Sequence, residues 1–241
     1  MRFALLADIH SNLVAFEAVL LDIEEKGGVE ELWCLGDIVG YGPDPSACIA
    51  LLRNHPHLCV AGNHDWAAIN KVDISDFNPD AAQACRWTGE QLCAEDVKYL
   101  ESLPLKLTRR DFTIVHGSPR DPIWEYVLSE RSASDNFRSF NTMHCLIGHS
   151  HIPLVFEYVD ETCLLRDTPE SLALGENRLL INPGSVGQPR DGDPRAAYAI
   201  YDEGDKVIYY YRIDYDIANT QERMVQKGLP NFLVTRLSHG W

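Results

Sequence analysis

Five short apolar segments in the first 151 residues each end on polar residues of the types that bind metal ions. The segments occupy residues 3–7, 31–35, 58–61, 112–115 and 145–147. Runs of this length are typical of buried strands, and residues with helical spacing follow the first two. In sheets built from alternating strands and helices, ligands bind beyond the carboxyl ends of the strands. The sequence therefore predicts an α/β sheet with polar side chains gathered along one edge.

The polar residues at these strand ends carry the carboxylate, amide and imidazole groups that coordinate borderline transition metals. In chain order, the candidate metal ligands are Asp8, His10, Asp37, Asn63, His116, His149 and His151. A single histidine after a strand is more often a structural or surface residue than a ligand. Five strand ends that carry such residues and meet at one edge favour a metal site instead.

The rest of the chain predicts a helix-rich layer and a second set of strands. Residues 67–107 are interpreted as a helix-rich insertion, and residues 118–140 as a rim over the site. The expected C-terminal strands occupy residues 154–159, 178–181, 197–201 and 207–213, and the expected helices residues 217–227 and 231–237. We expect these strands to form a second sheet that packs on the first, within a single domain of residues 1–241.

The net charge limits the partners that the chain can bind. The sequence has 21 basic and 36 acidic residues, which gives a formal net charge of −15. Such a surface repels nucleic-acid polymers and anionic membranes, so neither is an expected partner. A small phosphorylated substrate would need a local positive centre, which bound metal ions could supply.

The cysteines and the N-terminal residues favour a cytoplasmic protein. The seven cysteines include no C-x-x-C pair, and Cys34, Cys59 and Cys145 lie within predicted strands. We interpret them as buried thiols in a reducing compartment. The first apolar run stops at Asp8, which is too early for the core of a signal peptide or for a membrane span.

The order of the polar groups resembles the signature of the calcineurin-like metallophosphoesterase family, which reads D-x-H, G-D, G-N-H-[DE], H and G-H-x-H. In this chain the five blocks are Asp8-Ile9-His10, Gly36-Asp37, Gly62-Asn63-His64-Asp65, His116 and Gly148-His149-Ser150-His151. Every block is present without substitution. Residues 182–190 also resemble the small bacterial and archaeal phosphodiesterase branch, near its diadenosine-tetraphosphatase-like and protein-phosphatase-like members.

The resemblance implies a four-layer double β-sandwich, of the α/β or α+β class, in which two mixed sheets are flanked by helices. It also implies a dinuclear metal site on loops at one sheet edge, with two divalent ions drawn from Mn, Fe, Zn, Ni or Co. By the family pattern one ion is held by Asp8, His10 and His151, and the other by Asn63, His116 and His149. Asp37 would bridge the two ions.

The implied reaction is attack on a phosphate ester by a hydroxide that bridges the two ions. By resemblance, His64 lies over the substrate and stabilises or protonates the leaving oxygen, and Asp65 is interpreted as the carboxylate that orients the His64 ring. Arg190 is a candidate to bind the substrate phosphate, because arginine suits bidentate contact with phosphate. A surface ion pair of Arg190 with Asp191 or Asp193 is the alternative.

The expected activity is hydrolysis of a small phosphodiester or a nucleotide, and three alternatives stay open. A phosphomonoesterase or protein phosphatase would use the same site, because fold and chemistry do not specify the group beyond the phosphate. A non-catalytic protein-binding scaffold would be expected to lack His64 or a ligand, and the sequence keeps all of them. A nuclease would need an added basic region to hold the polymer, and none is visible in this sequence. The oligomeric state is not predicted.

Overall fold

The apolar segments form strands of two six-stranded sheets in the computed structural model, which describes residues 1–168 and 170–241. The strands are β1 Arg2–Leu6, β2 Glu31–Cys34, β3 His57–Cys59, β4 Lys106–Arg109, β5 Phe112–Val115, β6 His144–Leu146, β7 Leu154–Val159, β8 Thr162–Arg166, β9 Ser171–Ala173, β10 Arg178–Asn182, β11 Ala196–Asp202 and β12 Val207–Ile213. The helices are α1 Leu13–Glu25, α2 Pro45–Arg53, α3 Asn63–Ala68, α4 Pro79–Gln91, α5 Ala94–Ser102, α6 Glu130–Asn136, α7 Ile217–Gln226 and α8 Asn231–Arg236.

Both sheets are mixed, as predicted. The first has the strand order β3-β2-β1-β11-β12-β9, in which β1, β2 and β3 are parallel and β11 is antiparallel to β1. The second has the order β4-β5-β6-β10-β7-β8, in which β5, β6 and β10 are parallel. The parallel strands of each sheet bring their carboxyl ends, and the loops that follow them, to one edge.

The expectation that the C-terminal strands form the second sheet alone is wrong. β11 and β12 complete the first sheet beside β1, whereas β7, β8 and β10 join β5 and β6 in the second. All residues of β11 except Asp202 are buried, which is the burial of a central strand covered on both faces. Apolar pattern predicts that such a strand is buried, but it does not determine which strand is its neighbour.

The core lies in layers between and outside the sheets. Trp33 and Leu5 of the first sheet pack between the sheets against Phe112 and Leu146 of the second. A second cluster lies between the first sheet and α1, α2 and α5, and a third between the second sheet and α6. Trp33 is fully buried and stacks on Phe3 at 4.7 Å, so its truncation to alanine would cost about 3–5 kcal/mol of stability.

A fourth cluster places helices next to the predicted site. Tyr41, from the loop after β2, packs with Ala84 of α4 and with Leu233 and Leu237 at the C-terminal helix. The segment interpreted as an insertion, residues 67–107, carries α4 and α5. In the described part of the chain, the helices are all too short or too polar to cross a membrane.

Candidate metal centre

The predicted ligands lie together at the edge where the parallel strands end. Two groups of side chains have ligand atoms within 4.8 Å of one another. One group is Asp8, His10 and His151, and the other is Asp37, His116 and His149. All six residues are buried, and they come from loops that follow β1, β2, β5 and β6.

In the first group, two imidazoles point lone pairs at each other. The Nδ1 atoms of His10 and His151 lie 3.1 Å from the Val39 carbonyl and 2.6 Å from the Gln188 carbonyl. A carbonyl only accepts, so each Nδ1 donates, and in a neutral ring each Nε2 then carries a lone pair. These two Nε2 atoms are 3.0 Å apart. A cation bound by both nitrogens would relieve their repulsion.

The second group has similar geometry but a different charge balance, because burial lowers the pKa of His116 while the Asp37 carboxylate raises it, to about 9. His116 Nδ1 lies 2.8 Å from the Leu35 carbonyl, and His149 Nε2 lies 3.2 Å from the Trp124 carbonyl. The remaining ring nitrogens, His116 Nε2 and His149 Nδ1, face each other at 3.1 Å. The side-chain oxygen of Asn63 is 3.0 Å from His116 Nε2, so it adds a further candidate ligand atom to this group.

Asp37, a member of the second group, also lies next to the first group. Its Oδ2 is 3.6 Å from His10 Nε2 and 3.3 Å from His116 Nε2, whereas its Oδ1 accepts the backbone N–H of His64 at 2.8 Å. Oδ2 is buried and has no hydrogen-bond partner, and Asp8 Oδ2 is in the same state. Burial also raises the pKa of Asp8 to about 7. Two unpaired buried carboxylate oxygens among imidazole lone pairs fit divalent cations, because cations would compensate the buried negative charge.

The backbone at the site is strained. Five candidate ligands have φ angles between 49° and 65°, in the left-handed region that residues other than glycine seldom adopt. They are Asp8, His10, Asp37, His149 and His151. Each such residue costs on the order of 1–3 kcal/mol, and strain of this kind collects at functional sites. The loops therefore hold an arrangement that their own backbone preferences oppose.

Two glycines allow the loops to approach this closely. A Cβ atom at Gly62 would lie 2.0 Å from Asp37 Oδ1, and one at Gly40, where φ is +93°, would lie 2.7 Å from His64 Nδ1. A side chain at either position would displace the central carboxylate or the predicted catalytic imidazole.

His64 is held by packing rather than by a hydrogen bond to its ring. Its ring lies 5.0 Å from the His10 ring, 4.3 Å from the Tyr41 ring and 5.0 Å from the Phe77 ring. His64 Nδ1 is buried without a partner. Burial lowers the pKa of His64 to about 4, so the ring is neutral at pH 7.

The interpretation of Asp65 as the residue that orients the His64 ring is wrong. Both carboxylate oxygens of Asp65 accept backbone N–H groups, those of Asp37 at 2.9 Å, Gly62 at 2.9 Å and Val39 at 3.1 Å. Asp65 therefore fixes the loops that carry Asp37 and Asn63. Asp65 follows His64 in α3, but the two side chains have different contacts.

Arg190 lies over the same site, beside the first group. Its Nη2 contacts the Gln188 side chain at 2.9 Å and the Tyr41 hydroxyl at 3.5 Å, and its Nε is buried without a partner. The alternative of an ion pair with Asp191 or Asp193 is wrong. Asp191 pairs with Arg212 instead, and Asp193 pairs with Arg195.

Several residues near the site carried no signal in the sequence. Arg236, in the last turn of α8, is partly buried near Arg190. Burial and, to a smaller extent, the charge of Arg190 lower the pKa of Arg236 to about 10. A cavity of about 230 Å³ also borders Asn63, His64 and His149. Its aromatic wall consists of Tyr41, Phe77, Trp124 and Tyr126. A rim was predicted over residues 118–140, but its aromatic lining was not.

A double β-sandwich with imidazole, carboxylate and amide donors at one sheet edge is the architecture of a metal-dependent phosphoester hydrolase. The chain belongs to the calcineurin-like phosphoesterase superfamily, whose domain model matches residues 1–206.

Three comparisons illustrate this relationship. A crystal structure of a metallophosphoesterase from Sphaerobacter thermophilus is 47% identical, with a TM-score of 0.90, and the match covers 100% of this chain and 99% of the other. An uncharacterized protein from Methanocaldococcus jannaschii is 40% identical over 98% of this chain and 97% of its own length. A Pseudomonas putida protein named bis(5'-nucleosyl)-tetraphosphatase, symmetrical, is 29% identical over 35% of this chain and 34% of its own length.

Proposed function

We propose that this protein is a phosphodiesterase that requires two divalent cations and hydrolyses a small phosphodiester or a nucleotide. The observation that carries the proposal is Asp37 Oδ2, which is buried, lacks a hydrogen-bond partner and lies between an imidazole of each group, those of His10 and His116. A carboxylate in that position can be shared by two cations. Pairs of cations about 3.5–4 Å apart are widely used for in-line displacement at phosphorus.

Each cation would have its own ligands on this chain. One would be held by Asp8, His10 and His151, the other by Asn63, His116 and His149, and both by Asp37. When bound, the cations would polarise the phosphate oxygens and lower the pKa of water. The donor set suits Mn, Fe, Zn, Ni or Co, and it does not select among them.

Two further side chains would act on the substrate. The imidazole of His64, fixed among three aromatic rings, would donate a hydrogen bond to the leaving oxygen. Arg190 would bind a non-bridging phosphate oxygen. This role is supported by its unpaired Nε and by the lack of a carboxylate partner for Arg190 within the described residues.

The proposed substrate is small and soluble. A net charge of −15 disfavours polymeric nucleic acid, and the likeness to a protein named as a nucleosyl tetraphosphatase supports a nucleotide. A cytoplasmic location is proposed because all seven cysteines are free thiols, six of them buried.

The test combines metal analysis with two model esters. Protein purified without chelator would be analysed for bound metals and assayed with Mn²⁺ on bis-p-nitrophenyl phosphate and on p-nitrophenyl phosphate. We expect metal-dependent cleavage of the diester, and His64→Ala should lower its rate by about 10²–10⁴-fold, the usual contribution of a general acid or base. His239→Ala, which truncates an exposed histidine, is the matched control.

The outcomes separate the open alternatives. Faster cleavage of the monoester would favour a phosphomonoesterase or protein phosphatase. Two bound cations without cleavage of either ester would contradict an enzymatic function and favour a binding role.

A further inference from the structure

The cavity beside the candidate metal centre has an aromatic wall, and the exposed rings of Trp124 and Tyr126 in this wall have no part in the proposed chemistry at phosphorus. It holds about 230 Å³ and borders Asn63, His64 and His149, so a group bound in it would lie next to a phosphate at the metal centre. Sites for drug-sized ligands hold about 300–1,000 Å³, so this cavity suits one ring system rather than a whole dinucleotide.

The rings of the wall are arranged to receive a flat group. Tyr126 stacks on the His149 ring at 3.9 Å with 24° between the planes, and Phe77 meets Trp124 edge to face at 5.9 Å. Trp124 is 40% exposed and Tyr126 is 46% exposed. Aromatic side chains left open beside a polar site present a stacking surface, because covering them would remove apolar area from water.

The polar residues of the cavity indicate the charge of the group that it binds. Asp76 lies in the wall, and its carboxylate disfavours a second phosphate there. The side-chain oxygen of Asn78 accepts the N–H of Ala81 at the start of α4, which leaves the amide nitrogen free to donate. A carboxylate and an amide N–H suit an uncharged edge that has both donors and acceptors.

We propose that this cavity binds the nucleobase of a nucleotide substrate, stacked on Trp124 and Tyr126, while the phosphate occupies the metal centre. The inference deepens the proposed function and rests on it only for the position of the phosphate. A nucleobase combines a flat aromatic surface with an edge of N–H and carbonyl groups, which are the two features that the wall can recognise.

A binding measurement tests the inference without turnover. Dissociation constants of AMP and of ribose 5-phosphate, which differ only in the base, would be measured by calorimetry on the protein as purified. Stacking of one base is worth about 5- to 150-fold in affinity, and we expect AMP to bind more tightly by a factor in that range. Equal affinities would overturn the inference.

Substitutions at Trp124 test whether the aromatic wall causes the preference for AMP. Trp124→Leu should reduce the preference for AMP to within about twofold, whereas Trp124→Phe, which keeps a ring, should retain most of it. The backbone carbonyl of Trp124, which His149 contacts, is present in both variants. Trp241→Leu is the matched control, since Trp241 is exposed and lies outside the cavity. A full preference in Trp124→Leu would overturn the inference, and thermal unfolding would verify that each variant is folded.

A parallel assay separates failure of the inference from failure of the proposed function. The methyl esters of AMP and of ribose 5-phosphate carry the same diester, with and without the base. Cleavage of both esters at equal kcat/KM would overturn the inference and leave the phosphodiesterase intact. Cleavage of neither, with a base-dependent affinity that Trp124→Leu abolishes, would contradict the proposed function and support the base site.

Discussion

The two groups of candidate ligands contain the same kinds of side chain, but their surroundings differ. In the group of Asp8, His10 and His151, His10 borders a space of only about 10 Å³, and none of the three residues lines the cavity beside His64. The group of Asn63, His116 and His149 opens on the cavity of about 230 Å³. If the proposed function is right, the enclosed group would serve mainly to hold its cation, whereas the open group would share its cation with the substrate.

Asp37→Asn should have the largest effect, because this carboxylate is the one that both groups share. An amide lacks the charge that would offset two cations, so bound metal should fall below two ions per chain. The rate of hydrolysis should fall by more than about 100-fold, because loss of a residue that only orients a metal ligand typically costs about 10–100-fold. Elemental analysis and the bis-p-nitrophenyl phosphate assay measure both effects. Asp205→Asn, in the exposed hairpin turn, is the control, and two ions retained in Asp37→Asn would refute a shared ligand.

His151→Ala and His149→Ala compare the two groups directly. Truncation in the open group should release one ion and lower activity, and the enclosed group should keep its own ion. Truncation in the enclosed group should release the other ion, and loss of either ion should lower Tm, because a ligand that binds only the folded state stabilises it. Metal content and Tm of both variants, with and without added Mn²⁺, give the answer. Identical losses in the two variants would show that the groups do not act separately.

Asp65→Asn tests whether Asp65 supports the loops. The carboxylate accepts three backbone N–H groups, and an amide oxygen can replace only part of them, so unfolding should become easier by about 1–3 kcal/mol. Chemical denaturation of Asp65→Asn and His64→Asn provides the comparison. His64→Asn should affect activity more than stability. If Asp65→Asn also lowered activity and left stability unchanged, the view that Asp65 acts through the His64 ring would be restored.

Arg190→Lys should have the smallest effect, since the charge is kept and only the forked geometry is lost. We expect KM for a diester to rise by about tenfold, which corresponds to about 1.4 kcal/mol, with little change in metal content. Arg212→Lys, in the ion pair with Asp191, is the matched control. A change of less than twofold in Arg190→Lys would remove Arg190 from the substrate site.

The sequence predicted individual elements better than it predicted their neighbours. The limits of β5, β7 and β12 agree with the apolar patterns, and the seven predicted ligands lie together because each follows a strand that ends at the same edge. Whether they bind metal stays a prediction. The assignment of β11 to the first sheet was missed, because hydrophobic periodicity reports burial and carries no information on strand pairing.

The contacts of Asp65 and the aromatic cavity could not be predicted for a related reason. Asp65 reaches Val39 across two loops, and Phe77 and Trp124 meet although 47 positions separate them in the chain. Such contacts depend on how loops cross at the sheet edge. The sequence motifs predict which residues belong to the candidate site. They do not predict which distant loops contact one another around that site.

The spacing of the enclosed group along the chain gives its cation a topological effect as well. Asp8 already accepts the backbone N–H of His149, 141 positions away. A cation held by Asp8, His10 and His151 would close the same long loop a second time, as a reversible cross-link. A covalent link across more than 100 residues restricts the unfolded chain by on the order of 5 kcal/mol. Loss of the ion would therefore remove one of two links between the loop after β1 and the loop after β6, and the unfolded chain would regain the freedom that the cation had restricted.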